Sequence, residues 1–336
     1  MPAPVNVAIV GVTGAVGQAF LEVLAERNFP INQLKLLASA RSAGKTVDFK
    51  GKTYTVEELT HDSFKGVQIA LFSAGGSISK EFAPSAVKAG AVVVDNSSAF
   101  RMTDGIPLVV PEVNPEAIKK HVGIIANPNC STIIMNVPVW PLHKANKIKR
   151  IIVSTYQAVS GAGAWGLEEL ERQIKQHASG SAIEKIKFPH QIINNLFSHN
   201  SAVGPTGYNE EEVKMLKETR KIFGEPKMAV TATCVRVPVP RAHCESINIE
   251  FTQPITPDEV KKILSKAPGV TIVDNPEKNH FPMPIEASGQ DNVLVGRVRQ
   301  DMSREDGRGI DLFVAGDQIR KGAATNAVQI AEKLLV

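Results

Sequence analysis

Cysteine is scarce in this chain: Cys130, Cys234 and Cys244 are the only three among 336 residues. An odd number at wide spacing makes a poor disulfide framework and suits a reducing cytosol. No Cys-x-x-Cys and no His/Cys cluster has the spacing of a zinc site, so no metal is expected. Aromatic residues are also few, at 5%, and no basic-aromatic stripe runs through the sequence. Neither sign of charge dominates, since 38 basic and 34 acidic residues leave a net +4. That balance argues against nucleic acid or an anionic membrane surface as a partner. No apolar run approaches the ~20 residues needed to span a bilayer. Met1-Pro2-Ala3-Pro4 passes directly into a strand pattern, so no signal peptide is expected. Asn96-Ser97-Ser98 then reads as a chance match to a glycosylation sequon.

What is present is a folding composition. Hydrophobic residues make up 43% and charged residues of mixed sign 21%. At ~150 residues per domain, the length predicts two domains. Val5 to Val10 reads as a buried strand running into Gly11-Val12-Thr13-Gly14-Ala15-Val16-Gly17, then an amphipathic helix to about Arg27. Glycines at this spacing let the backbone turn sharply and approach a pyrophosphate at the helix N-terminus. The alternative is a glycine turn kept for packing. Leu34 to Ala38 reads as the second strand. An NAD site of this kind usually ends that strand with an acid for the ribose 2′-hydroxyl. Here Ala38-Ser39-Ala40-Arg41-Ser42 offers no acid, and Arg41 suits a 2′-phosphate, which favours NADP over NAD; a solvated loop cation is the alternative. A hairpin at Thr46 to Val56, strands at Val67 to Phe72 and Ala91 to Val94, and a helix between them continue the alternation of a parallel sheet. Arg101 follows the last of these strands, in a place suited to phosphate or carboxylate recognition or simply to the surface.

Asn127-Pro128-Asn129-Cys130-Ser131-Thr132 is the stretch on which the functional reading turns. An apolar strand-like run precedes it and an apolar run from Ile133 follows. Cys130 is therefore expected on a tight turn at the first turn of a helix. There the peptide dipoles and unpaired N–H groups favour a thiolate, the nucleophilic form. The alternative is a small buried hydrophobe.

Beyond this helix the composition shifts. Ile151 to Ala158 is a strand carrying Gln157, followed by Ser160-Gly161-Ala162-Gly163. Trp165 to Gln176 has a helical apolar stripe, and His177 to Tyr208 reads as a long polar excursion of the kind used for subunit contact or as a lid. Asn209 to Phe223 is a helix capped by Asn209 and Glu212 and ended by Gly224, with Glu211 and Lys214 sharing a face. Met228 to Val237 is a strand with Arg236 on its apolar side, and His243 opens the next strand. These two are expected to be long antiparallel partners that bring Arg236 and His243 together. Val293 to Arg299 and Ile310 to Ala315 add strands, and Gly316-Asp317-Gln318 is expected to open a final helix to Val336. The predicted architecture is α/β: a Rossmann-type nucleotide-binding domain over 1–129, completed by a C-terminal helix at 318–336, and an α+β catalytic and dimerisation domain over 130–317 with a mixed, largely antiparallel sheet.

The stretches GVTGAVG, DNSSAFRM, NPNCST, STYQAVSGAG, TCVRVPVPRAHCES and GDQIRKGAA, spread from end to end, closely resemble aspartate-β-semialdehyde dehydrogenase. The resemblance implies that Cys130 attacks L-4-aspartyl phosphate and expels phosphate. NADPH would then reduce the resulting thioester to L-aspartate 4-semialdehyde, with His243 as acid/base. It implies that Gln157 orients the substrate, that Arg236 pairs with its α-carboxylate, and that Arg101 and Lys214, assisted by Glu211, hold phosphate. It implies NADP contacts from Gly11, Thr13, Gly14, Ala15, Val16, Gly17, Arg41, Ser42, Ser160, Gly161 and Gln318. It further implies a cytoplasmic homodimer or dimer of dimers that supplies precursors of lysine, threonine, methionine and diaminopimelate.

Three other readings are distinguishable from the residues. N-acetyl-γ-glutamyl-phosphate reductase uses the same chemistry but carries glycine before its cysteine, where this chain has Asn129. A phosphorylating glyceraldehyde-3-phosphate dehydrogenase is expected to use NAD. A catalytically silent paralogue is expected to lack the thiol or the imidazole.

Overall fold

The computed structural model describes residues 2–335. The chain divides into two units, Met1–Asn129 with Gly322–Val336, and Cys130–Lys321.

In the first unit, β1 (Val5–Val10) is buried on both faces from Val7 onward, as that apolar run requires. It is followed by α1 (Ala15–Glu26), β2 (Ile31–Ala38), β3 (Thr46–Phe49), β4 (Lys52–Glu58), β5 (Ile69–Phe72), α2 (Gly76–Lys88), β6 (Val92–Asp95) and β7 (Ile124–Ala126). The sheet order is β3-β4-β2-β1-β5-β6-β7. All pairs are parallel except the β3–β4 hairpin, whose Lys50-Gly51 turn takes positive φ at both residues. β2 and β5 flank β1, so the winding reverses at β1, and the turn after β1 opens at this switch point. Phe64, Phe72, Ala83, Ala86 and Val93 pack one side of the sheet. The C-terminal helix (Thr325–Lys333) is tied to the segment just after β7 and to the loop before it by Asn326, whose Nδ2 donates to Asn127 Oδ1 at 2.7 Å and to the Val109 carbonyl at 2.9 Å.

The second unit begins with α3 (Cys130–Ala145) and β8 (Ile148–Gln157). Then come α4 (Ala164–Ala178), β9 (Phe197–Ser198), α5 (Glu210–Phe223), β10 (Ala229–Arg236), β11 (His243–Phe251), α6 (Pro257–Leu264), β12 (Val270–Ile272), α7 (Pro284–Ala287), β13 (Val293–Gln300) and β14 (Gly309–Gly316). The sheet order is β12-β13-β14-β11-β8-β10-β9. β8–β10 and β12–β13 are parallel and the other pairs antiparallel, so the sheet is mixed.

The strands of Arg236 and His243 are not partners, contrary to the sequence expectation: β8 lies between them. The connection from β10 to β11 contains Pro238 and Pro240, which offer no N–H for a hairpin ladder. It crosses the end of β8 instead, where Val239 and Pro240 accept from the N–H groups of Val159 and Ser160. Arg236 and His243 therefore flank Gln157 from opposite sides of one strand.

α5 is capped as its sequence requires. Asn209 and Glu212 form a reciprocal capping box, and Gly224 ends the helix at φ 67°. The excursion before it is anchored to α4. Glu169, 2% exposed, accepts from the N–H groups of Ile186, Lys187 and Phe188, and Gln173 accepts from those of Ile192 and Ile193. Phe188, Ile192 and Phe197 pack with Leu170 and Val159.

The final helix starts later than expected. Asp317 accepts from the N–H groups of Ile319 and Arg320, residues Arg320–Ala324 form a π-helical turn, and the α-helix begins only at Thr325. Asp317 is also engaged by Arg241 and the Gly289 N–H, which holds this stretch off a continuous helix.

Candidate active site

Three strand ends, the starts of α3 and α5, and the segments after β8, β9 and β14 supply the polar residues of the second unit's site. Cys130 is the first residue of α3 and is half-buried. None of the three cysteines is in a disulfide. Burial pushes the Cys234 thiol far up and that of Cys244 up to about 12, so these two are inert thiols.

Arg236 ends β10 and is 1% exposed. Its Nη1 donates to the Ala158 carbonyl at 2.6 Å, and its Nη2 to His199 Nε2 at 2.7 Å and Asn200 Oδ1 at 3.2 Å. Its Nε is buried without a partner. The acceptors that touch it are neutral, so the guanidinium retains capacity for an anion. Glu211 and an ionised Cys130 both favour its charge, which places the sulfur within electrostatic reach of Arg236.

His243 opens β11 and is fully buried. The Ala158 N–H donates to its Nδ1 at 3.0 Å, while its Nε2 has no partner. Burial first, and then the Arg236 charge, hold this imidazole well below its usual pKa. A Cβ on Gly161 would stand 2.9 Å from the ring Cε1, 3.0 Å from Nε2 and 3.2 Å from Arg236 Nη1. Only glycine lets the backbone approach both groups this closely.

Gln157 is fixed from two sides. Thr155 donates to its Oε1 at 3.0 Å, and its Nε2 donates to Glu211 at 3.1 Å. Glu211 is buried and also accepts from Lys214 at 3.1 Å, so this pair is no solvated surface contact. Gln318 accepts from the Ala242 N–H at 2.8 Å and donates to Ser160. Gln157, Ser160, Gly161, Glu211, Lys214, Arg236, His243 and Gln318 thus form one connected neighbourhood.

His199 and Asn200 belong to it and went unrecognised in the sequence. Nothing in a polar loop distinguishes them, and their role follows from the pairing of β9 with β10, which sets Phe197 opposite Arg236. His199 accepts from Arg236, and burial lowers its pKa to about 4, so it is neutral near pH 7. Glu245, also unrecognised, is fully buried with neither carboxyl oxygen partnered; burial, then Glu211, holds its pKa well above the usual range.

The first unit holds a separate group. Gly11 has φ +86°, and a Cβ there would stand 2.6 Å from the Ser73 carbonyl oxygen; a Cβ on Gly17 would collide with the Gly11 carbonyl. Gly14 caps α1 with no side-chain hydrogen bond, which leaves the helix start open to an anion. Thr13 and Gly14 are exposed there, with Ala15 and Val16 half-buried. This cradle of missing side chains over a helix N-terminus fits a dinucleotide. Arg41 is exposed in a short turn after β2, with Ser42 buried beside it. Arg101 is 8% exposed and donates to the carbonyls of Asn127 at 2.9 Å and Asn96 at 3.1 Å.

Comparison with known proteins matches residues 6–121 to the semialdehyde dehydrogenase NAD binding domain and residues 139–321 to the semialdehyde dehydrogenase dimerisation domain. Aspartate-semialdehyde dehydrogenase of Aquifex aeolicus is 56% identical over 334 residues, covering 98% of each chain. That of Synechocystis sp. is 55% identical over 335 residues, covering 100% of this chain and 98% of the relative. Among solved structures, aspartate semialdehyde dehydrogenase II of Vibrio cholerae complexed with ASA superimposes with a TM-score of 0.96 at 49% identity, covering 99% of this chain and 98% of that one.

Proposed function

Because this chain belongs to the aspartate-semialdehyde dehydrogenases, we propose that it converts L-4-aspartyl phosphate and NADPH to L-aspartate 4-semialdehyde, NADP and phosphate through a thioester on Cys130. The thiolate of Cys130 forms a bond to the acyl carbon, and phosphate leaves with the electrons of the broken C–O bond. The nicotinamide, when bound, supplies the hydride. Collapse of the tetrahedral oxyanion breaks the C–S bond, frees the semialdehyde and returns the thiolate. His243 serves as the acid/base group at the substrate oxygen. Arg236 pairs with the α-carboxylate, and Gln157, held by Thr155 and Glu211, orients the chain. Arg101 and Lys214, the latter aided by Glu211, take the phosphate role.

The nucleotide is NADP in this reading. The open start of α1 and the glycines at 11, 14 and 17 hold the pyrophosphate, with Thr13, Ala15 and Val16 lining the turn. Arg41 and Ser42 take the 2′-phosphate. Ser160, Gly161 and Gln318 are the contacts we assign to the second unit. The chain forms a dimer through this unit, with a dimer of dimers as a further assembly, and serves lysine, threonine, methionine and diaminopimelate synthesis in the cytoplasm. Among the described residues no helix is long and apolar enough to cross a membrane.

One observation carries the site assignment. Two polar atoms are buried without partners: Nε2 of His243, against which Gly161 leaves an approach, and Nε of Arg236, whose Nη1 borders the same glycine. Buried donors are nearly always satisfied, so these await a substrate oxygen and an anion. The test is mass spectrometry after brief exposure to L-4-aspartyl phosphate without NADPH. An aspartyl adduct on Cys130 supports the reading; an unmodified Cys130, with turnover intact, refutes it.

A further inference from the structure

We propose that His199 is a positioning residue for Arg236: with Ser201 behind it, it holds the guanidinium open to the substrate carboxylate and keeps it off Glu211. This rests on the reading of Arg236 as the α-carboxylate partner. A buried guanidinium is oriented by the acceptors it finds. Here they are neutral. Nη1 donates to the Ala158 carbonyl at 2.6 Å, and Nη2 to His199 Nε2 at 2.7 Å and Asn200 Oδ1 at 3.2 Å. The positive charge is therefore not cancelled by its own anchors. Glu211 is the carboxylate that acts on Arg236, and its oxygens are engaged by Gln157 and Lys214, each at 3.1 Å.

The histidine is itself fixed. A guanidinium N–H can only donate, so His199 Nε2 carries the lone pair. Burial holds the ring neutral near pH 7, which puts its proton on Nδ1. Ser201 Oγ stands 3.0 Å from Nδ1 and accepts from it. The same oxygen accepts from the Glu211 N–H at 3.3 Å, in the first turn of α5. The main-chain N–H of His199 donates to the Cys234 carbonyl at 2.8 Å, which pins the loop to the edge of β10. These contacts close a ring. Arg236 meets His199, His199 meets Ser201, Ser201 meets Glu211, Glu211 meets Gln157, and Gln157 lies beside Arg236 as its register partner. The two side chains assigned to the substrate's amino-acid end are thus held from behind by one loop.

Loss of the acceptor at position 199 would leave Nη2 short of a partner in a buried place, at the cost of an unmade hydrogen bond. Glu211, which already favours the Arg236 charge, is then the acceptor of opposite sign open to it. That pairing would cancel the charge meant for the substrate. Glutamine reproduces both contacts of the imidazole, with Oε1 accepting from Nη2 and Nε2 donating to Ser201. Leucine fills similar space and reproduces neither.

Steady-state kinetics with L-aspartate 4-semialdehyde, phosphate and NADP separate this role from a merely structural one. His199→Leu should raise KM for the semialdehyde about 10- to 100-fold, the size of a lost hydrogen bond to a charged group, with kcat and the KM for NADP within about threefold. His199→Gln should return that KM to within about threefold of wild type. Combined with Arg236→Gln, His199→Leu should cost less than about twofold more in kcat/KM, because it acts only through the arginine. A semialdehyde KM in His199→Leu within about threefold of wild type overturns the inference. So does His199→Gln as impaired as His199→Leu, or a double variant whose losses multiply. Ser201→Ala, which leaves the imidazole in place, gives the same reading if His199→Leu does not fold: a semialdehyde KM raised about 3- to 10-fold supports the inference, and one within about twofold of wild type overturns it. An Arg236→Gln enzyme with unchanged kcat/KM would instead refute the carboxylate reading, whereas an impaired Arg236→Gln beside an unimpaired His199→Leu sinks this inference alone.

Discussion

Gln157 and Arg236 are register partners across the parallel pair β8–β10, so both strands end at the same edge with these side chains adjacent. One is an amide locked by Thr155 and Glu211, and the other is a buried cation with one unpartnered nitrogen. The pair suits one end of an amino acid. Arg236→Gln should lower kcat/KM for L-aspartate 4-semialdehyde by about 10²–10³, the scale on which one partner of a buried charged pair is lost. Steady-state kinetics in the phosphorylating direction would measure it, and a change under fivefold would remove Arg236 from carboxylate recognition.

Cys130→Ala should reduce turnover by on the order of 10⁴-fold or more, because the covalent route is closed. NADPH binding, followed by its fluorescence, should remain within about twofold of wild type.

Arg41→Ser should weaken NADPH binding roughly 10- to 100-fold, the size of a charge-assisted contact, with little change for NADH. Calorimetric titration of both nucleotides decides the point. Tighter binding of NADH than NADPH by the wild type would refute the 2′-phosphate assignment.

Glu245 makes stability fall as pH rises. Its folded pKa lies well above 4.5, so the unfolded chain loses this proton first and the native state binds more protons across the interval. The penalty begins near pH 4.5 and grows until the folded pKa is passed. Glu245→Gln removes the titration and should raise stability near pH 7 by up to about 3 kcal/mol, the linkage penalty that accumulates as pH rises above the unfolded pKa. Urea denaturation at pH 5 and pH 8 should show the gain growing with pH.

His199 acts in the opposite sense. Its pKa falls from 6.5 unfolded to about 4 folded, so the unfolded chain binds the extra proton between these values. Stability should decline as pH drops through that window, by about 3 kcal/mol in total. His199→Gln keeps a neutral acceptor for Arg236, and its denaturation midpoints between pH 6.5 and 4 should decline less steeply than those of wild type.

What could be read in advance divides along physical lines. Cys130 at a helix start was legible because Asn127-Pro128-Asn129 forbids earlier helix and the apolar run begins directly after it. The ends of α5 were legible because Asn209, Glu212 and Gly224 are local signals. The insertion of β8 between β10 and β11 was not, because strand order depends on which edge a connection crosses rather than on the strands' own periodicity. His199 and Asn200 were hidden for the same reason: their partner is 36 or 37 residues away in sequence. Glu245 shares the parity of Ile247, Ile249 and Phe251, so alternation puts it on the buried face; what no periodicity shows is that neither of its oxygens finds a partner there.

The grip of α4 on the excursion that follows it gives the site an address far from its chemistry. Glu169 and Gln173 together receive five main-chain N–H groups from residues 186–193, and the same excursion then delivers His199 to Arg236. A drug or a mutation that loosened this clasp would need no contact with substrate to blunt selectivity for a carboxylate-bearing aldehyde. Variation at these two helix positions is therefore a route by which lineages could retune what the enzyme accepts while every reacting group stays the same.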